Sequence, residues 1–440
     1  VIWYKNCQGD FFHSGLQMDE DQKKAIDLAI SCKSFFLTGA GGTGKSYVIR
    51  KIIEELDGHG KDTALTAMTG CAAILLGKNA KTLHSWAGIG LGKEIASSLL
   101  AKIKKSPRSK KNWLIIDTLI IDEVSMMSPD LLDKLDYVAR NIRKSDTLFG
   151  GIQLILVGDL YQLPPINREF RDGPQFVFES STWKHLEDTI TLRTIHRQSD
   201  AAFVKILQEA RIGELSEESI DILEKRKTSE WKKLEIKPTL IFSRRDDVEQ
   251  INVSQLRKCE GPDVVFKART IRQRGLVTEN EQYAIDKMDK VGSYVPELTL
   301  RKGAQVMLLT NKYANEYGLV NGSRGIVEKF CEGPEPLPMV KFKNGQVIIV
   351  AFHAWNSEEV VGLQREQIPL QLAYAVTIHK AQGATLDCAL IDIGRNTFEN
   401  GQAYVALSRV KSLDSLYIWE FDPEAFTVHP KVREYHAGRL

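Results

Sequence analysis

Gly39-Ala40-Gly41-Gly42-Thr43-Gly44-Lys45-Ser46 decides how this chain is read. The octapeptide fits G-x-x-x-x-G-K-[ST], a loop whose glycines let the backbone fold into a nest of N–H donors around phosphate groups. Just before it, Ser34-Phe35-Phe36-Leu37-Thr38 is a short apolar run that predicts a buried strand. Just after it, Val48, Ile49, Ile52, Ile53 and Leu56 recur at helical spacing, which predicts a helix from Lys45 to Leu56. A glycine-rich turn can match the pattern by chance, but strand, loop and helix in that order are the context of a phosphate loop. The helix N-terminus adds its partial positive charge to the nest. Gly39, Gly41, Gly42, Thr43 and Gly44 are therefore candidate nucleotide-binding positions. Lys45 is the cation for the β- and γ-phosphates, and the Ser46 hydroxyl is a candidate Mg²⁺ ligand.

Three further apolar runs, 63–67, 118–121 and 153–157, read as buried parallel strands, each ending in a polar or glycine-bearing turn. Strands alternating with helical stretches predict a doubly wound α/β domain, with ligands at the carboxyl ends of the strands. Asp122-Glu123 follows the second run. Asp122 can reach Mg²⁺ directly or through water, and Glu123 can polarise the attacking water, a division of labour that phosphoryl transfer requires. An Asp-Glu pair alone is also a common solvated strand end; the phosphate loop selects the catalytic reading. Gly158-Asp159-Leu160-Tyr161-Gln162-Leu163-Pro164-Pro165 follows the third run. There Gln162 can bond both γ-phosphate and water, or the segment is an ordinary loop with a rigid end; its residues leave both readings open.

The chain has 440 residues, 43% hydrophobic and 26% charged, which predicts two or more globular domains. No run of 18 apolar residues predicts a membrane span, and Val1 to Asp10 do not read as a signal peptide, although a targeting segment could precede Val1. Six scattered cysteines without a Cys-x-x-Cys pair argue against zinc and for a reducing intracellular compartment. The net charge of +2 does not announce nucleic acid, but 102–111 reads KIKKSPRSKK, with six basic residues in ten. On its own that run reads as a solvated loop. A second set of elements is expected from Thr189, with strands at 239–243 and 389–393. Between them, 305–309, 325–327, 339–342 and 347–350 are β-type runs, and Asn321-Gly322 and Asn344-Gly345 are hairpin-turn dipeptides. The middle reads as a small all-β insertion.

Taken together, GAGGTGKS, IIDEVSM and GDLYQLPP resemble the superfamily 1B helicases of the RecD-like group. The segment 133–154, with LDKLDYVARNIRK and FGGIQLI around it, is similar to the signature of the petite-integration-frequency (PIF) helicases. LRTIHRQ, KGAQVMLL, LVNGSRG, AVTIHKAQGATLD and GQAYVALSRVKSL follow in the family's order, so the resemblance runs from about Leu16 to Tyr435.

The resemblance implies an α/β fold of two RecA-like P-loop NTPase domains with ATP between them. It implies a first domain over 1–70 and 112–188 with a wedge insertion at 71–111. It implies a second domain over 189–265 and 371–440 with an SH3-like β insertion at 266–370. By resemblance, Gln22 holds the adenine edge, Gly383 belongs to the nucleotide site, and Arg197 and Arg409 are arginine fingers from the second domain. A guanidinium suits that role by giving planar, paired donors to developing phosphate charge. The implied activity is an ATP- and Mg²⁺-dependent 5′-to-3′ DNA helicase of genome maintenance. Its implied partners are single-stranded DNA, forked or structured DNA including G-quadruplexes, and RNA–DNA hybrids. A monomer, or a dimer on DNA, in the nucleus or mitochondrion is compatible with the family.

The family's strand-binding segments correspond here to Thr66, Thr69, Gly70, His84, Ser85 and Trp86, and in the second domain to Thr377 and His379. Hydroxyls and backbone N–H groups suit phosphate contacts without base reading. Trp86 is either a base-stacking platform or a core tryptophan. The basic run falls in the wedge, where it could guide strand phosphates. Met68 stands where the family commonly has a serine, which puts one hydroxyl contact to DNA in doubt; Ala381 replaces another frequent serine, and His196 stands where an aromatic or hydrophobic residue is usual.

Overall fold

The computed structural model describes residues 3–5, 11–13, 18–77, 80–165, 176–186, 188–198, 200–272, 281–292, 294–333, 335–357, 360, 362–382 and 385–438. The chain divides into two compact units. The phosphate-loop unit comprises Gly15–Ile222, Thr397–Ser408 and Asp422–Leu440; the second unit comprises Val1–Ser14, Leu223–Asn396 and Arg409–Phe421.

The phosphate-loop unit is built on a six-stranded sheet. Its order is Lys81–Thr82, Thr63–Ala67, Thr118–Asp122, Gln153–Gly158, Phe35–Gly39, Asp188–Leu192, and every neighbouring pair is parallel. A parallel sheet is covered on both faces, which is why its central strands are continuous apolar runs. Alternate side chains enter opposite cores. Phe35, Leu37, Ile120, Ile155 and Val157 pack with Ala25 and Ala29 of helix Glu20–Ile30 and with Val48, Ile49, Ile52 and Leu56 of helix Lys45–Gly58. Phe36, Leu119, Ile121, Leu154 and Leu156 face the other way, onto Leu132, Leu135 and Val138 of helix Pro129–Arg143.

Two expectations are corrected in this unit. Asp188–Leu192, where the second set of elements was expected to begin, pairs in parallel with Phe35–Gly39, because Ile190 and Leu192 complete the core over Phe35 and Leu37. The helix after it, Ala201–Ile212, also belongs here, as does the C-terminal helix Pro430–His436. The basic run is not a loop. It spans the helices Ala96–Lys105 and Pro107–Ile115, separated by Ser106, which caps the second. Leu99, Ile103 and Trp113 are buried beneath it, while Lys102, Lys104, Lys105, Arg108, Lys110 and Lys111 are exposed.

The second unit has a four-stranded parallel sheet in the order Ala375–Thr377, Thr239–Phe242, Ala389–Ile393, Leu416–Phe421. The β-rich middle is a five-stranded antiparallel sheet ordered Val347–Ile349, Pro338–Phe342, Arg324–Phe330, Gln305–Leu308, Leu370–Leu372. Two smaller antiparallel sheets accompany it. Asn344-Gly345 closes a hairpin, with Gly345 at φ +87°. Asn321-Gly322 instead ends a longer connection that carries helix Ala314–Tyr317. The middle is also not all β: Glu281–Val291 is a helix, held by Ala284 against Val360 and Leu363.

Candidate nucleotide and nucleic-acid sites

Because the strands run parallel, Gly39, Asp122 and Gly158 end on one edge of the sheet, where ligands of open α/β sheets bind. The phosphate loop leaves the sheet there and enters helix Lys45–Gly58 through Gly44 at φ +88°. Glycine is required at two other loop positions by close approach. A Cβ on Gly39 would lie 2.6 Å from Thr43 Oγ1 and 2.9 Å from the Leu192 carbonyl, and one on Gly42, at φ +93°, would lie 2.9 Å from Arg197 Cβ. The buried Thr43 hydroxyl donates to the Ala40 carbonyl at 2.9 Å. Lys45 Nζ donates to the carbonyls of Gly39 at 2.7 Å and Ala40 at 3.2 Å. Burial pushes the Lys45 ammonium down, against Asp159, Glu123 and Asp122. Ser46, the second residue of the helix, is exposed.

Asp122 is 7% exposed, and its Oδ1 accepts the Glu123 N–H at 2.8 Å. Burial first, and the neighbouring Glu123 charge second, raise its carboxyl to about 7. Glu123 stands in the left-handed region at φ 58°, a conformation that costs a non-glycine residue about 1–3 kcal/mol and clusters at functional sites. Ser46 and Asp122 offer the oxygen donors that Mg²⁺ takes. No group of three or more His, Cys, Asp or Glu suited to a metal occurs among the described residues. A magnesium ion held here would therefore complete its shell with water and phosphate oxygens, the usual arrangement for that ion.

One residue of this edge was not singled out in the sequence. Asp159 is fully buried at the end of Gln153–Gly158. It takes Arg211 Nη2 at 2.9 Å and Nε at 3.0 Å, the Tyr404 hydroxyl at 3.0 Å and the Tyr161 N–H at 3.3 Å. Burial works to raise its pKa, but Arg211, Lys45 and these hydrogen bonds outweigh it and hold the carboxyl below its usual range. An acid after an apolar strand is the signal that marked Asp122 and was equally present here. Gln162, in the same loop, is buried, and its Oε1 has no hydrogen-bond partner among the described residues. A buried acceptor left alone is costly, so it fits a group that meets a donor from water or ligand.

Gln22 is the third residue of helix Glu20–Ile30 and closes a capping box with Asp19. Its Nε2 lies 3.3 Å from His196 Nε2 and 3.3 Å from where a Cβ on Gly44 would stand, which brings it to the end of the phosphate loop. Arg197 is not carried by the second unit. Its backbone N–H donates to the Gly42 carbonyl at 3.2 Å, within the phosphate-loop unit. The reason is the strand Asp188–Leu192, which leads straight into it. Burial pushes the Arg197 guanidinium down, opposed by Tyr404 and Glu123. Arg409 does belong to the second unit, 2% exposed, with Nη1 donating to the Ala381 carbonyl at 3.2 Å. Gly383 lies outside the described residues.

The residues expected on the nucleic-acid side divide by exposure. Thr66 is fully buried and its hydroxyl donates to the Ile120 carbonyl at 2.8 Å, so it ties two strands and offers nothing to a ligand. Trp86 is 6% exposed and packs at 4.8 Å between ring centroids on Trp113, in the core over Leu99 and Ile103; the core reading holds. Thr69 is the N-cap of Gly70–Leu76, accepting from Ala72 N–H at 3.2 Å. Gly70, His84 and Ser85 are half-buried. Thr377 caps the short helix Ile378–Ala381, and His379 within it is half-buried, with burial pushing its imidazole down.

A family model for the PIF1-like helicases matches residues 17–221, and one for the 2B domain of the DNA helicase Pif1 matches 293–330. The human ATP-dependent DNA helicase PIF1 is 38% identical over 424 residues, which are 96% of this chain and 64% of that protein. The crystal structure of the Pif1 helicase of Candida albicans superposes with a TM-score of 0.79 at 33% identity, covering 96% of this chain and 99% of that one. The chain belongs to the PIF1-like helicase family. The Bacteroides Pif1 solved with single-stranded DNA superposes with a TM-score of 0.70 at 30% identity, covering 96% of this chain and 97% of that one. The chain spans about two thirds of the human relative, 64% of its length.

The segment 133–154 that carries the PIF resemblance is a strut. Asp133, on helix Pro129–Arg143, accepts from the Ser180, Ser181 and Thr182 hydroxyls at 2.6, 2.9 and 2.7 Å. Arg143 Nη1 donates to the carbonyls of Trp113, Leu114 and Ile116 at 3.1, 3.2 and 3.1 Å, and its Nε to that of Gly150 at 2.8 Å. Gly150 is glycine because a Cβ there would meet the Ala139 carbonyl at 2.7 Å. In this PIF1-family chain the signature helix thus holds the C-terminal end of the second basic helix, just before the strand that delivers Asp122.

Proposed function

We propose that the chain is an ATP-driven motor that moves 5′ to 3′ along single-stranded DNA and separates forked duplex. The single observation that supports this most is the convergence of Lys45, Asp122, Glu123 and Asp159 on the carboxyl edge of one parallel sheet in a member of the PIF1-like family. The phosphate nest and Lys45 bind and orient the polyphosphate. Glu123 holds the attacking water, and Gln162 offers its unpartnered carbonyl oxygen to it. Arg197, joined to the loop through Gly42, supplies donors to the charge that develops on the transferred group. Mg²⁺, held by Ser46 and Asp122, supplies charge compensation when bound. Arg409 is assigned as a second arginine finger on the family resemblance, and the wedge and SH3-like insertions are assigned on the same ground. The exposed lysines and arginine of the two basic helices contact strand phosphates without reading bases. RNA–DNA hybrids and G-quadruplexes are proposed substrates, and nucleus or mitochondrion the proposed compartments.

The test is ATP hydrolysis with and without single-stranded DNA, alongside Lys45→Ala and strand separation on 5′- and 3′-tailed duplexes. The expected result is turnover that rises with DNA, is abolished in the variant, and opens the 5′-tailed duplex. Turnover that ignores DNA, or survives Lys45→Ala, refutes the motor. Turnover without opening of either duplex leaves a translocase and refutes strand separation.

A further inference from the structure

Tyr404 lies 363 residues after Gly41, yet its hydroxyl oxygen accepts the Gly41 N–H at 2.9 Å. The same hydroxyl donates to Asp159 Oδ2 at 3.0 Å. The contact is built, not incidental. Gly401, the N-cap of helix Gln402–Leu407, takes φ +78°, and a Cβ there would meet the Tyr161 carbonyl at 2.5 Å and that of Gln162 at 3.0 Å. The helix therefore starts pressed against the loop that carries Gln162. Tyr404 follows on it, 2% exposed. At the helix end, Ser408 Cβ lies 3.4 Å from where a Gly41 Cβ would be, so the end of this helix stands within van der Waals reach of the phosphate loop. Asp159, the other partner of the hydroxyl, is fixed by Arg211, which stacks 4.4 Å over the Tyr161 ring.

A backbone N–H makes one strong hydrogen bond at a time. The Gly41 N–H is part of the nest that a nucleotide phosphate uses, and here a protein hydroxyl holds it. We propose that Tyr404 is a positioning residue of the nucleotide site: its hydroxyl, held by Asp159, competes with the phosphate for the Gly41 N–H. When phosphate takes the N–H, the hydroxyl keeps its bond to Asp159 and loses its donor. That leaves the helix Gln402–Leu407 attached to the Gln162 loop and released from the phosphate loop. This inference rests on the nucleotide-binding reading above.

The experiment uses the full chain with Mg²⁺ and without DNA. Binding of adenylyl imidodiphosphate, ADP and adenosine is measured by competition with a fluorescent ADP for the parent and Tyr404→Phe. Removing one competing hydrogen bond is expected to tighten adenylyl imidodiphosphate about two- to tenfold, with adenosine unchanged. Damage to packing alone weakens all three, so the direction separates the roles. Unchanged or weaker binding of adenylyl imidodiphosphate by a variant that melts with the parent overturns the proposal. Should Tyr404→Phe fail to fold, 3-fluorotyrosine placed at 404 keeps the ring and hydroxyl with a weaker acceptor. It is expected to shift affinity in the same direction by a smaller factor, and the opposite shift overturns the proposal. A parent that binds no nucleotide overturns the underlying reading instead.

Discussion

Arg211→Met is the perturbation that tests the electrostatics of the site most sharply. Methionine keeps the length of the apolar stem and removes the charge from a pair in which Asp159 has no exposure at all. What stays with Asp159 is the Tyr404 hydroxyl at 3.0 Å, the Tyr161 N–H at 3.3 Å and the more distant Lys45. Breaking a buried pair by deleting one partner costs about 3–5 kcal/mol, because the other charge stays buried and uncompensated. For a unit of this size each kcal/mol lowers the midpoint by about 2–4 °C, so the first thermal transition is expected to fall by roughly 6–20 °C near neutral pH.

The pH dependence carries the proof of mechanism. In the parent, Asp159 is held below its usual range, so its contribution is present above the unfolded carboxylate pKa and is lost as pH falls through the folded one. Between pH 8 and 5 the parent gains or loses nothing from this group. In the variant, burial loses its chief opponent and the carboxyl rises. The variant then takes up a proton on Asp159 as pH falls, and its deficit against the parent shrinks. The assay is calorimetry of both proteins at pH 8, 6.5 and 5. A deficit that is constant across that range refutes the claim that an unpaired Asp159 charge causes it. A deficit near zero at every pH refutes the buried pair itself.

Two other outcomes follow from the same structure. Asp122 is raised to about 7 by burial and by Glu123, so the folded state holds a proton that the unfolded chain releases, and stability falls as pH rises from about 4 to 7. Asp122→Asn is therefore expected to melt a few degrees above the parent at pH 8 and with it at pH 4, while hydrolysis is abolished; a lower midpoint at pH 8 contradicts the raised pKa. Replacing Lys104, Lys105, Lys110 and Lys111 by glutamine, all exposed on the basic helices, should leave DNA-free ATP turnover intact. It should weaken single-strand binding and flatten its salt dependence by about one unit of slope per lost phosphate contact; an unchanged salt slope removes these helices from the DNA path.

The nucleotide edge was legible because its chemistry is contiguous. Gly39 to Ser46 is one unbroken stretch from strand end to helix start, and Asp122-Glu123 stands at the end of its strand, so periodicity and a short pattern reveal both. The phosphate-loop sheet has five strands longer than two residues, of which the apolar runs place four in it. Asp188–Leu192 was placed in the second set because the chain offers no local sign of which sheet a strand joins; that is decided by whether Ile190 and Leu192 meet Phe35 and Leu37. The left-handed Glu123 was hidden for a different reason, since positive φ at a non-glycine residue has no sequence signature.

Where the chemistry is assembled across the chain, sequence order conceals it. Arg211 reaches Asp159 over 52 residues and Tyr404 reaches Gly41 over 363, and neither spacing belongs to any local pattern. The same limit explains the nucleic-acid side. A tryptophan beside hydroxyls reads equally well as a base platform or as core, and what settles Trp86 is Trp113, delivered by the basic run that composition alone made into a loop. Six cations in ten residues obscured Leu99, Ile103 and Trp113, whose burial makes the segment helical and turns the lysines outward. The charge that suggested a solvated loop is thus mounted on a pair of helices, the second of which is capped at its C-terminal end by Arg143 of the signature helix.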